Sequence, residues 1–170
     1  MRKYKAGSIM IIAGIYMILF ATPVFADSSW KWISDMRPYD VFPFVVIGTL
    51  LIETISINYI PKVNKLAKVF CVVTLGNLLS YAAPYFFRAI VCYSDHIYSF
   101  TKSLVHVPLY NIGIAYLIIT IIIELPVDYL LLKKDTKKNK TLIFTILGAN
   151  ILTTALVAVV ERTLCYGYYI

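Results

Sequence analysis

Thr49-Leu50-Leu51-Ile52-Glu53 and Thr120-Ile121-Ile122-Ile123-Glu124 are the same sentence written twice in one chain. Each is followed, after a lysine-bearing turn, by a second fixed phrase: Asn77-Leu78-Leu79-Ser80 in the first case and Asn150-Ile151-Leu152-Thr153 in the second. Both phrases sit inside apolar runs long enough to cross a bilayer. A carboxylate in such a run is costly, and is usually turned toward the interior of a helical bundle or a watery cavity. Two of them in matching contexts predict one polar site built by a duplicated helical hairpin.

The surroundings set the class. The chain has 170 residues, of which 60% are hydrophobic and only 15% charged. Soluble domains carry about a quarter charged residues. Here the charges gather between long apolar runs, the pattern of a polytopic helical membrane protein. Four spans are predicted, at about 41–60, 67–90, 108–132 and 141–160. Each covers the ~30 Å of hydrocarbon at about 1.5 Å per residue. The fold class expected is an all-α membrane protein: a four-transmembrane-helix bundle of two parallel-repeat hairpins, 41–90 and 108–160. A basic start (Arg2, Lys3, Lys5), a short apolar stretch and Val24-Phe25-Ala26 precede it. That is the grammar of a signal peptide over residues 1–26; an uncleaved signal anchor is the alternative.

Loop charges give an orientation. Lys62, Lys65 and Lys68 join spans one and two, and Lys133, Lys134, Lys137, Lys138 and Lys140 join spans three and four. The positive-inside rule places both turns in the cytoplasm of a multi-pass plasma-membrane protein. The segment 27–40, the loop 91–107 and the tail 161–170 then lie outside. The basic balance is explained by topology, and no nucleic-acid partner is expected. The partners expected are the lipid bilayer, a proton or small cation, and a membrane protein.

Glu53 and Glu124 each stand nine residues before the first lysine of their turn. Both carboxylates therefore fall at one depth, about 13 Å from the turn. The returning helices bring Asn77 and Asn150 back to that level, within reach of a hydrogen bond. Thr49 and Glu53 share one stripe of span one, and Asn77 lies on a stripe of span two with Thr74 and Tyr81. Tyr116, Thr120, Glu124 and Asp128 recur every four residues on span three, which is a single helical face. Ser80 and Thr153 add hydroxyls. The buried polar site expected thus comprises Glu53, Asn77, Glu124, Asn150, Thr49, Thr120, Ser80, Thr153 and Asp128. Gly76 and Gly148 beside the asparagines allow close backbone approach.

Two function classes follow. Hard oxygen ligands around two carboxylates that cannot easily ionise together suit a proton- or cation-coupled transporter-like protein. The same groups could instead be structural glue in a non-catalytic membrane subunit or assembly factor. Hydrolase, metalloprotease, redox and phosphate-loop signatures are missing, which argues against an enzyme. No cofactor is expected, and whether a metal binds is left open. Cys92, Asp95, His96 and His106 lack recognised ligand spacing and read as an ordinary loop. Cys92 and Cys165 occupy equivalent ends of the two hairpins, so a disulfide between them is geometrically plausible; free thiols are the alternative. Cys71 reads as packing within the membrane.

The arrangement resembles a group of small, uncharacterised bacterial four-helix integral membrane proteins. They share a signal-like start, a Glu late in one apolar helix and an Ala-Asn-apolar-apolar-Ser/Thr run in the next. Ile52-Glu53 with Gly76-Asn77-Leu78-Leu79-Ser80, and Glu124 with Ala149-Asn150-Ile151-Leu152-Thr153, carry the resemblance over residues 41–160. It implies an architecture and no activity. The four-helix size and membrane Glu are also similar to small proton-coupled multidrug exporters, from which the duplication and signal segment depart.

Overall fold

A computed structural model describes residues 38–94 and 113–164. The signal segment 1–26, most of the segment 27–40, residues 95–107 of the loop and the tail from 165, with Cys165 and hence the Cys92–Cys165 pairing, lie outside the described residues. Those described are helical: α1 Pro38–Tyr59, α2 Leu66–Ser94, α3 Ile114–Leu132 and α4 Asn139–Leu164, with a 3-10 turn Lys133–Asp135 before α4. All four helices are long and apolar enough to cross a membrane, and no strand occurs among the described residues.

Their ends have local causes. α1 stops at Tyr59 because Pro61 cannot continue it and because Lys62 and Asn64 both adopt left-handed backbone, with φ of 58° and 57°. Asn58 holds the turn: its carbonyl accepts from the Val63 amide and its side-chain Oδ1 from the Lys65 amide, each at 3.1 Å. Val63 is thereby pressed into the core. α3 begins after Gly113, whose extended φ of −155° and ψ of −158° break any helix entering from the preceding residues. The proline in α3, Pro126, and Pro43 near the start of α1 are both accommodated without ending their helices. α2 likewise remains helical past Pro84 to Ser94.

The helices pack in chain order. α1 meets α2, α2 meets α3, α3 meets α4, and α4 closes back on α1. The outside of this ring is apolar. Phe44 is 76% exposed and Ile122 66%, along with Ile47, Leu51, Ile55, Ile118 and Phe144. The inside is mixed, with Glu53 and Glu124 each only 1% exposed. In water that distribution would be upside down; in lipid it keeps polar side chains away from the hydrocarbon. Cys71 lies on the outer surface of the bundle, within a helix apolar enough to span a membrane.

The interior is layered along its axis. Near the lysine turns, Ile57, Val63, Val69, Val73, Leu132, Leu142 and Ile146 form a dry core. Above it lies the polar layer. Above that, Phe42, Val45, Tyr81, Tyr116 and Val157 gather around Ala158. The two turns are tied together at their own end. Asp135 bridges Lys65 and Lys68 at 2.6 and 2.5 Å, and the Thr136 hydroxyl donates to the Pro61 carbonyl at 2.6 Å. On the second turn, Lys133 also lies over the Tyr129 ring, 5.8 Å from its centre.

Candidate functional site: a carboxylate cluster beneath an apolar cavity

α1 delivers Glu53, α2 delivers Asn77 and Ser80, α3 delivers Thr120, Glu124 and Asp128, and α4 delivers Asn150 and Thr153. All but the half-buried Asn77 are buried. The stripe read from every fourth residue of α3 is real: Thr120, Glu124, Asp128 and then Leu132 are its buried residues. Thr49 is half-buried and lines the cavity described below.

Hydrogen bonds link the helices in a crossed pattern. The Asn77 amide donates to Glu53 Oε2 at 2.6 Å, within the first hairpin. The other oxygen of Glu53 accepts from the Thr153 hydroxyl at 2.8 Å, from the second hairpin. Reciprocally, Glu124 Oε1 accepts from the Ser80 hydroxyl at 2.5 Å, from the first hairpin. Both asparagines also bond down their own helices, Asn77 to the Val73 carbonyl and Asn150 to the Ile146 carbonyl, each at 3.0 Å. The expected second Glu–Asn contact is looser than the first. Asn150 stands beside Glu124, but its Oδ1 and the Glu124 Oε2 both lack a partner.

That pair belongs to a larger imbalance. Glu124 Oε2, both oxygens of Asp128 and Asn150 Oδ1 are buried acceptors with no donor. A buried group left so costs about 1–3 kcal/mol, and more when charged. Glu53 acts electrostatically on both Glu124 and Asp128, so the three carboxyl groups form one coupled cluster. The cluster is short of hydrogen, and protons are the smallest species that remove both defects. A protonated carboxyl is neutral and brings its own donor. Among the described residues no group of three His, Cys, Asp or Glu side chains has the spacing to hold a metal ion.

A partly open cavity of about 340 Å³ reaches this cluster. Glu53, Asn77, Ser80, Thr120, Glu124 and Thr153 form its polar floor, and Phe42, Val45, Tyr81, Tyr116 and Val157 are among its walls. Phe42 is eleven residues from Glu53, so the floor lies about 16 Å below that ring. Asp128 and Asn150 do not line it and sit on the dry side of the floor, toward the lysine turns.

No protein-family model, curated protein or solved structure matches the chain. The site contains no paired nucleophile and base of the Ser–His or Cys–His kind among the described residues, and its groups can accept and release protons or oxygen-seeking cations.

Several contributors were not singled out by sequence patterning. Thr154 lines the cavity and its buried hydroxyl is unpartnered. Glu161 is buried near the far end of α4. Asn58 and Asp135 organise the turns. Only Asn58 carried a usable signal, as an Asn three residues ahead of a proline at a helix end.

Proposed function

We propose that the protein is a small proton- or cation-coupled transporter-like membrane protein, in which Glu53 and Glu124 carry the exchangeable proton or cation. The observation that carries this reading is the buried set of acceptor oxygens without donors, which starts at Glu124 on the floor of a cavity and continues to Asp128 and Asn150 beneath it. A purely structural cluster would be expected to close its own hydrogen bonds.

In this reading the lysine turns face the cytoplasm of the plasma membrane, as their charge predicts. The cavity then belongs to the outer half of the bilayer, and the core around Ile57, Leu132 and Ile146 closes the inner half. Asp135, holding Lys65 and Lys68, latches that inner end. The two hairpins are parallel repeats about an axis along the membrane normal, following a signal peptide or anchor. The exchange of hydroxyls between hairpins, Thr153 to Glu53 and Ser80 to Glu124, supports the repeat, because Ser80 and Thr153 occupy matching places. Asp128 breaks the symmetry. Its counterpart 71 residues earlier is Ile57, so the acid on the inner side of the floor is present in one repeat only. A proton leaving Glu124 inward has Asp128 one helical turn further along α3.

A second reading is favoured by Glu53 alone, whose two oxygens are both satisfied. In that reading the protein is a non-catalytic membrane subunit or assembly factor, and the polar bonds only fix the bundle for a membrane partner.

Proteoliposomes separate the two. Wild-type protein should collapse an imposed pH gradient faster than protein-free vesicles, and Glu124→Gln should slow that flux by about tenfold or more, since the unsatisfied acid is removed. Flux unchanged by Glu124→Gln, or absent from the wild type, selects the second reading.

A further inference from the structure

The cavity has a composition of its own, and it specifies a ligand. Its floor holds two carboxyl groups, and none of its described lining residues is Lys, Arg or His. Glu124 Oε2 and the Thr120 hydroxyl are buried, unpartnered oxygens on residues that line it. The walls are aromatic and aliphatic. Phe42 and Tyr81 pack at 5.5 Å between centres, tilted by 47°, and Tyr116 and Val157 also line the cavity. A volume of about 340 Å³ lies at the small end of the range for organic ligand sites, roughly 300–1,000 Å³. Exposed Val46 and Leu78 border the cavity between α1 and α2, which gives it a side open to the lipid-facing surface.

We propose that this cavity binds a compact monovalent organic cation: an ammonium or similar head seated over Glu53 and Glu124, and an apolar body held by Phe42, Val45, Tyr81 and Tyr116. The inference rests on the proton-exchange reading and names the substrate class of the same site. Among the described lining residues an anion finds no counter-charge. A bare inorganic cation would leave the apolar walls unfilled. An organic cation meets both halves, and aromatic faces around a desolvated cation add attraction. The exchange balances in charge and atoms. One cation enters as one carboxylic O–H bond breaks, and that proton leaves to the solution, so the cluster's charge is unchanged. Binding and protonation are therefore mutually exclusive at the shared carboxyl, and reciprocal linkage makes the cation weaken as protons become abundant.

The test uses the full chain in lipid nanodiscs and equilibrium dialysis with benzyltrimethylammonium. Saturable binding is expected, with about one proton released per cation bound in weak buffer at mildly alkaline pH, and weaker binding at mildly acidic pH. Benzenesulfonate and benzyl alcohol should not compete. Glu124→Gln should weaken binding by about tenfold or more. Val45→Trp, which fills the cavity without touching a carboxylate, should abolish it while raising or preserving thermal stability. Non-saturable uptake by the wild type, equal competition by benzenesulfonate, or wild-type binding by Val45→Trp would overturn the assignment. Proton flux that persists in a protein with no cation binding overturns this inference and spares the proton-exchange reading; loss of both overturns both.

Discussion

A chain carrying Glu53→Gln and Glu124→Gln together is expected to fold as stably as the wild type and to pass no protons. The geometry explains why the two outcomes separate. Glu53 accepts from Asn77 and from Thr153. A glutamine keeps the carbonyl acceptor for Asn77, and its amide can donate to the Thr153 hydroxyl, which accepts as readily as it donates. Glu124 accepts from Ser80 only. A glutamine there preserves that bond through its carbonyl oxygen. The variant therefore keeps the bonds that the wild type makes. Each kept bond is worth about 1 kcal/mol, so thermal unfolding in detergent should be unchanged. Flux should fall to the level of empty vesicles, because an amide cannot take up and release a proton at working pH. Thr153→Val provides the opposite control. It strips a donor from Glu53 and leaves one of its oxygens unpaired, which should destabilise by about 1–3 kcal/mol.

The second large effect concerns Gly76. It lies on α2 against α3, where a Cβ would stand 3.1 Å from Asp128 Oδ1 and 3.5 Å from Glu124 Cγ. One carbon is already tight, and the branched carbons of valine would have to enter the carboxyl cluster. Overpacking of this kind costs about 1–3 kcal/mol, enough to lower the yield of folded protein sharply. The cause is specific, so the rescue is too. Asp128→Ala in the Gly76→Val background should restore most of the lost stability, because the nearest obstructing atom is gone. The double-mutant cycle, measured by thermal unfolding of detergent-solubilised protein, should give a favourable coupling of about 1 kcal/mol or more. Simple additivity would mean that Gly76 matters for another reason. The matching place in the second hairpin is Ala149, opposite a repeat that has Ile57 where this one has Asp128. Glycine is thus found where the extra acid is, and alanine where it is missing.

The parts of this picture that could be read from residues alone are those governed by periodicity. Thr120, Glu124 and Asp128 fall on one face at a spacing of four, and lipid forbids that face from pointing outward, so their burial follows. The depth match of Glu53, Glu124 and Asn77 follows from a fixed rise per residue, and so does the Asn77–Glu53 bond. What periodicity leaves open is azimuth, the rotation of one helix against the next. Ser80 serves Glu124 across the α2–α3 seam, and Thr153 serves Glu53 across the α1–α4 seam. Which hydroxyl meets which acid depends on how the ring of helices closes, a tertiary choice that hydropathy does not encode. Cys71 shows the same gap: an apolar context placed it within a span, but only the packing placed it on the exterior. The Asp135 clamp was hidden for another reason. Its lysines already had a role as topology signals, and nothing local reveals that two turns some 70 residues apart are neighbours.

In the proposed mechanism the buried carboxyl cluster exchanges protons with the solution through the cavity. Infrared spectroscopy of the protein in lipid tests it most directly, since a protonated carboxyl has a carbonyl stretch distinct from that of a carboxylate or an amide. A protonated-carboxyl band is expected that diminishes as pH is raised, shifts promptly on transfer to heavy water, and is clearly reduced in the Glu53→Gln, Glu124→Gln protein, where Asp128 alone of the three carboxyls remains. A wild-type band that ignores both pH and heavy water, or a responsive band that survives intact in the double variant, would contradict it.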